Sequence, residues 1–332
     1  MTALVTGATG FIGSAVARRL LARGETVRVL ARAGGDRRNL EGLAVEIVEG
    51  DLRDQDARRR AVQGIDSLYH VAADYRLWVP DPDAMYATNV EATTDLLLRA
   101  ASGGARRMVY TSSVATLGIP GDGSLATEDT PVALTEMVGP YKRSKYLAEE
   151  AVRKLAAEEK LPVVIVNPTA PVGPRDVKPT PTGRMVTEAA AGRMPAFVDT
   201  GLNLAHVDDI AEGHVLAHDK GVLGERYILG GENLTLQQIL VRIAALTGGK
   251  AATIKLPHGV VLPLAYIAEF AARLFRTGEP FMTVDGLKLA RKRMFFTHAK
   301  AQRDLGYSAR PVDEALIDAI AWFRKHGALS PK

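Results

Sequence analysis

The sequence predicts an α/β protein, a doubly wound parallel sheet with a smaller, mostly helical C-terminal lobe. Three observations carry that prediction. Short β-branched runs alternate with longer amphipathic segments through the first half of the 332 residues. A glycine-rich stretch, "TGATGFIG", joins the first such run to the first helical segment. After Asn167 the alternation breaks at "PTAPVGPRDVKPTPTG", whose five prolines should hold no regular element, and mainly helical periodicity follows.

The strand candidates in order are Ala3 to Thr6, Thr26 to Ala31, Val45 to Gly50, Ser67 to Ala72, Arg107 to Ser112 and Pro162 to Asn167. Between them, Phe11 to Gly24 sets Ile12, Val16 and Leu20 on one stripe and stops at glycine. Ala84 to Ala101 repeats the pattern, as does Pro140 to Glu159, which carries Pro140 in its first turn where no N–H is needed. Beyond the proline-rich stretch the periodicity gives helices at Met185 to Arg193, Val207 to Lys220, Thr235 to Gly248, Val260 to Phe275 and Val312 to Gly327. One strand, Arg226 to Gly230, and the helix before it are expected to return to the sheet. The sheet domain is thus 1–167 with about 206–230, and the substrate lobe 168–205 with 231–330.

Composition removes several classes of function. The charges are mixed in sign along the chain and sum to only +4, so no basic stripe points to nucleic acid. The absence of cysteine excludes disulfides, cysteine-held metals and thiol catalysis. His214 and His218 stand at i and i+4 but lack the glutamate of the metalloprotease pattern, so no metal is expected. The N-terminus reads as a first strand and not as an export signal, which with the missing cysteines fits the cytoplasm. Val260 to Phe275 is too short for a bilayer and carries Pro263, Glu269 and Arg273. Its apolar periodicity reads as core or as the surface of a homodimer, with peripheral membrane contact if the substrate is lipid-linked.

Glycines after a strand and into a helix let a backbone approach a pyrophosphate, so Gly7, Thr9, Gly10, Phe11, Ile12 and Gly13 are the expected dinucleotide loop. The second strand ends in "VLARAGGDRRN", which puts Ala31 and Arg32 where a ribose-binding carboxylate would stand. A 2′-phosphate needs a cation there, so NADP(H) is preferred over NAD(H), with Arg32 as the clamp and Arg37 and Arg38 undecided between ligand and loop charge. Asp51 and Leu52 would flank the adenine. Ala72 and Ala73 keep the next strand end small beside the cofactor.

On a helix, Tyr141 and Lys145 of "YKRSK" face the same way one turn apart. Together with the glycine loop, "GDL", "HVAA", "TSS" and "NPTAPVGP", they resemble the extended short-chain dehydrogenase/reductase family of the NAD-dependent epimerase/dehydratase type, nearly end to end. Within it the chain looks most like the hopanoid-associated sugar epimerases, with dihydroflavonol-4-reductase-like proteins as broader relatives; "HVAADYRLWVPDP", "VDTGLNLAHVDDIAEGH" and "ARKRMFF" carry the finer match. The resemblance implies a Rossmann fold. It also implies a catalytic set of Ser113, Tyr141 and Lys145, with Ser112 as runner-up for the serine, and a nicotinamide edge along Pro168 to Val172. Lys145 would lower the phenol's pKa so that Tyr141 can exchange a proton near neutrality. Asn89 matches a family asparagine that either braces the site or takes part in its chemistry.

Asp74, Tyr75, Arg76 and Trp78 follow the fourth strand at its carboxyl end, and Arg175 lies in the proline-rich loop, so these are the substrate-side candidates. A polar and aromatic wall of this kind suits a polyol or sugar on an apolar body, such as a hopanoid-linked one. The expected activity is hydride transfer at a CH–OH/C=O carbon, with a sugar epimerase or dehydratase that retains its nicotinamide as the alternative and a non-catalytic NADP-sensing protein as a third.

Overall fold

The structure is a computed structural model of the chain and describes all residues except 77, 78, 80, 276–282 and 330–332. Seven parallel strands form one sheet: Thr2–Thr6 (β1), Thr26–Ala31 (β2), Val45–Glu49 (β3), Ser67–His70 (β4), Arg107–Thr111 (β5), Val163–Pro168 (β6) and, last in the chain, Arg226–Leu229. Their order is Arg226–Leu229, β6, β5, β4, β1, β2, β3. β1 is an inner strand: Ala3 pairs with Val27 on one side and Ser67 on the other. The chain runs outward from β1 to β3, then returns to lay β4 on the opposite side. That reversal opens a crevice at the carboxyl ends of β1 and β4, the place where open sheets of this kind take ligands.

Both faces of the sheet are covered, which is why the inner strands are apolar on both sides. Helices Phe11–Ala22 and Val207–Lys220 share one core with Val5, Val29 and Val166. Helices Gln55–Ala61, Ala92–Ser102 and Gly139–Glu158 close the other face around Leu4, Leu68 and Ile165.

Two expectations change. The helix expected over 84–101 is broken: Asp83–Tyr86 leads into a wide π-turn, Ala87–Glu91, before Ala92–Ser102. The wide turn carries Asn89, which is 1% exposed and hydrogen-bonded across the site, as such turns often do at functional positions. The proline-rich stretch also holds regular structure. Ala170–Val172 pairs with Gly201–His206, with Pro171 opposite Ala205, and Pro181 starts helix Pro181–Ala190. Proline is tolerated because the short strand has a partner on one side only and because N1 of a helix needs no N–H. Helices otherwise predominate in the lobe, beside small sheets built on Gly201–His206 and on the Ala196–Val198 and Ile254–Leu256 pair.

Candidate active site

The glycine loop leaves β1 directly into the crevice. Gly7 has φ of +72°, and a Cβ there would fall 2.7 Å from the Ala72 nitrogen, so two backbones touch where the fourth strand ends. A Cβ on Gly13 would fall 2.2 Å from the Gly7 carbonyl oxygen, so the helix can seat against the loop only as glycine. Gly10 caps helix Phe11–Ala22 without a side-chain bond and no acid sits in its first turn, which leaves the leading N–H groups, those of Phe11 and Ile12 among them, available to an anion. Asn39 donates to the carbonyls of Thr9 and Gly10 at 3.2 and 3.4 Å and fixes the loop from the β2 side. The cradle fits a dinucleotide pyrophosphate.

The three arginines after β2 separate cleanly. Arg37 is tied to Glu49 and Arg38 to Asp36, whereas Arg32 is exposed and among the described residues forms no ion pair. Asp51 bonds Arg53 at 3.0 Å, and that hydrogen bond, with a smaller contribution from the Arg32 charge, holds its carboxyl below the usual range. Leu52 is 8% exposed at the edge of the core formed with Leu30 and Ala57. Ala72 donates its N–H to Thr6 Oγ1 at 3.3 Å, and Ala73 follows it on the chain leaving β4.

Ser113 follows β5 in extended backbone and caps the short turn Val114–Thr116, its side chain accepting from Ala115 N–H. Helix Gly139–Glu158 brings Tyr141 against it. Burial raises the Tyr141 phenol above its ordinary pKa, and the neighbouring Ser113 side chain opposes that rise. Ser113 is the serine that acts on the Tyr141 phenol, whereas Ser112 acts on Tyr110. Lys145 is 2% exposed and donates to Thr111 O at 2.8 Å and Tyr110 Oη at 3.2 Å. Burial pulls its ammonium down to about 8 while Glu149 one turn on opposes the fall. The expected lowering of Tyr141 by Lys145 is not what acts on the phenol here, because the ammonium is turned to the β5 backbone and the Tyr110 ring.

On the substrate side, Asn89 accepts from Asp74 N–H at 2.8 Å and donates to Asp74 O at 2.9 Å. The Asp74 carboxylate feels burial, but bonds from Arg76 prevail and hold its pKa low, with a further lowering from Lys178 of the proline-rich loop. Asp74, Arg76 and Lys178 thus gather from both walls. Tyr75 is 42% exposed beside them. Trp78 lies outside the described residues. Arg175 is held by Asp208 and neighbours Arg18, so its guanidinium faces the Phe11–Ala22 layer and is not gathered with Tyr141. Pro168 ends β6 opposite Leu229, and Val172 packs its side chain into the lobe core with Val186 and Leu204, leaving only backbone for a ligand. A cleft of about 460 Å³ opens at the first turn of the tyrosine helix, between Pro82, Tyr86, Gly139, Pro140, Arg143 and Lys288.

A profile of the NAD dependent epimerase/dehydratase family matches residues 3–230. The chain belongs to that family. A candidate dihydroflavonol 4-reductase of Synechocystis sp. is 42% identical over 328 residues, covering 97% of this chain and 94% of its own. Sterol demethylase protein B of Methylococcus capsulatus is 37% identical over 330 residues, covering 99% and 100%. The crystal structure of gox2253 superposes with a TM-score of 0.88 at 50% identity over 99% of both chains. The protein is accordingly an NAD(P)-dependent oxidoreductase/epimerase-type enzyme of α/β architecture.

In this family member several supporting residues escape a motif reading. Ser144, inside "YKRSK", accepts from Asn89 at 2.9 Å and so ties the π-turn to the tyrosine helix. Glu149 is 2% exposed and holds Thr116, Asn167 and Arg226. His70 lies between Thr6 and Thr93 at 2.7 and 2.8 Å and stacks on Tyr110. Burial, then the nearby Lys145 charge, pushes its pKa down to about 3, so it stays neutral. Glu149 alone had a sequence signal, the i+4 step from Lys145. Both His214 nitrogens are engaged within the fold, by Thr111 Oγ1 and Ile210 O.

Proposed function

We propose that the protein is an NADP(H)-dependent oxidoreductase that interconverts an alcohol and a carbonyl on a hopanoid-linked polyol or sugar. The observation that carries the chemistry is the placement of the Tyr141 phenol where the Ser113 side chain acts on it, at the carboxyl end of β5 beside the glycine cradle. Gly7 to Gly13 would hold the pyrophosphate, Arg32 the 2′-phosphate, and Asp51 and Leu52 the adenine end. When bound, the nicotinamide supplies or accepts the hydride. Ser113 donates a hydrogen bond to the substrate oxygen, and Tyr141, kept protonated by burial, gives that oxygen its proton in reduction and takes it back in oxidation. Lys145 holds the β5 end in place and keeps a positive charge beneath the site below pH of about 8.

NADP(H) is supported by Arg32, the one of the three arginines after β2 without an ion pair among the described residues, since a guanidinium without a carboxylate at the end of β2 suits a phosphate. The nature of the substrate is supported by the mixed wall of Asp74, Tyr75 and Arg76 and by a relative named for sterol demethylation, sterols being polycyclic lipids like hopanoids. Residues 168–205 and 231–330 act in this reading as the substrate lobe.

Arg32→Ala should weaken NADPH binding by about 1.5–3 kcal/mol, roughly tenfold to a hundredfold, and leave NADH nearly untouched; equal affinities for parent and variant in a fluorescence titration would remove Arg32 from the role. Incubation with NADPH or NADP+ and lipid from a hopanoid-making cell, beside a panel of nucleotide sugars, tests the substrate. Turnover of a lipid component is expected. Consumption of a nucleotide sugar alone, or tightly held NAD with no net change in its redox state, would replace this reading with an epimerase.

A further inference from the structure

Lys145 is buried, and among the described residues its ammonium makes no ion pair. Glu149, one turn further along the same helix, gives its carboxylate to Arg226, Thr116 and Asn167. A buried cation with no carboxylate in contact must recover its lost hydration from neutral acceptors or give up its proton. Here the acceptors come from β5. Thr111 O takes one N–H at 2.8 Å and Tyr110 Oη a second at 3.2 Å, with Nζ lying over the Tyr110 ring 4.8 Å from its centroid. The face of an aromatic ring attracts a cation, so the ring adds to what the hydroxyl holds. An ammonium has three N–H groups, and two fixed bonds also fix where the third points.

Tyr110 is itself held. It is 1% exposed, and its ring stacks on His70 with centroids 5.9 Å apart, while His70 is pinned between Thr6 and Thr93. Burial raises the Tyr110 phenol well above its ordinary pKa, the charges of Glu149 and Tyr141 add to that rise, and Ser112 opposes it. Tyr110 is therefore a neutral acceptor and not a counter-anion. His70 is neutral as well and does not repel the ammonium. The titratable groups facing Lys145 are thus His70 from β4, Tyr110 from β5, and Tyr141 and Glu149 from its own helix, and of these Tyr110 is the one hydrogen-bonded to it.

We propose that Tyr110 is a positioning residue for the reaction: its hydroxyl and ring keep the Lys145 ammonium charged and aimed, and so set the pH above which the site loses its positive charge. The inference rests on the role given above to Lys145 as the charge beneath the site, and adds what keeps that charge there. The sign follows from the hydrogen bond. An oxygen that accepts from the charged form favours that form, so removing Oη lowers the Lys145 pKa further from the value of about 8 to which burial has already brought it.

An NMR titration of the full chain labelled with [ε-13C]lysine tests this without substrate or cofactor, the Lys145 signal being assigned by its loss in Lys145→Met. In the parent that signal should titrate at about 8 and lie upfield of the other lysines, because its end sits over an aromatic ring. Tyr110→Phe keeps the ring and removes the oxygen, so the midpoint should fall by about one unit, roughly a tenfold change in acidity. Tyr110→Leu should lower it further and remove the upfield shift. A parent signal that titrates as an exposed lysine does, or a Tyr110→Phe midpoint at or above the parent's, would overturn the proposal. Failure of the reaction itself reads differently. With NADPH and lipid from a hopanoid-making cell as the probe, the alkaline limb of turnover against pH should move with the midpoint. A lowered midpoint beside an unmoved limb would remove Lys145, and the reading on which this inference rests, from the chemistry.

Discussion

Beneath the site the chain buries charge, and on the lobe it exposes grease. Lys145 and Glu149 are each 2% exposed, whereas Ile267 and Phe270 are 64% and 68% exposed. Both invert the ordinary placement of their residue types, but they differ in partners. The buried charges are satisfied: Lys145 by Thr111, Tyr110 and the nearby Glu149, and Glu149 by Thr116, Asn167 and Arg226. That network rigidifies the end of β5 and the tyrosine helix, and its desolvation cost is borne because the geometry is complete. The exposed apolar stripe of helix His258–Phe275, with Val260, Leu264, Ile267 and Phe270, has no such completion among the described residues. A polar group out of place with partners points to positioning, and an apolar group out of place without them points to something outside the molecule.

The sharpest test of the positioned side is Tyr141→Phe. It removes only the hydroxyl that moves the proton, so turnover should fall by about 10²–10⁴-fold while the unfolding midpoint and cofactor affinity stay near the parent. Activity within a fewfold of the parent would reduce the helix to a structural feature. Glu149→Ala attacks the network itself. It strands Arg226, Asn167 and Thr116 in a buried space, and denaturant titration should show a loss of about 3–5 kcal/mol. A loss under about 1 kcal/mol would mean that the buried charge is not held as the hydrogen bonds indicate.

The two sides also differed in how legible they were. The strands and the glycine loop follow from local rules, because a buried parallel strand must be apolar throughout and Gly7 and Gly13 are demanded by backbone contact. Tyr141 and Lys145 were visible as an i, i+4 pair. What Lys145 faces was not, since Tyr110 lies 35 residues away and meets it only through the β5 pairing. Ser144, His70 and Asn167 were likewise hidden, each being an ordinary residue until the fold supplies its partner. The strand Ala170–Val172 was missed because proline counts against strands unless one edge is unpaired. The apolar periodicity of 260–275 was plain in the sequence, but periodicity cannot say whether a face is covered.

Asp176 offers a smaller test of buried charge, since it is 2% exposed and Thr180 is its hydrogen-bond donor. Burial raises its carboxyl from 3.8 to about 6. A folded pKa above the unfolded one favours the folded state fully below about 3.8, and that contribution is lost as pH rises through about 6. Asp176→Asn should therefore flatten the stability curve between those values by up to about 3 kcal/mol, read as unfolding midpoint against pH. An unchanged slope in the variant would show that another group titrates there.

The smallest effect is expected on the exposed side, and its smallness is the point. If the stripe of helix His258–Phe275 has no partner within the chain, then Phe270→Ser and Ile267→Ser remove nothing that folding buried, and each should shift stability by no more than about 0.5 kcal/mol. Core phenylalanines behave differently: Phe296 and Phe323 are each 1% exposed, and truncating either to alanine should cost about 3–5 kcal/mol. Matched denaturant curves on Phe270→Ser and Phe323→Ala thus ask whether size or burial governs the cost. A loss at Phe270 approaching that at Phe323 would mean that the stripe is covered by the chain itself, and the contrast between satisfied charge and unsatisfied grease would collapse.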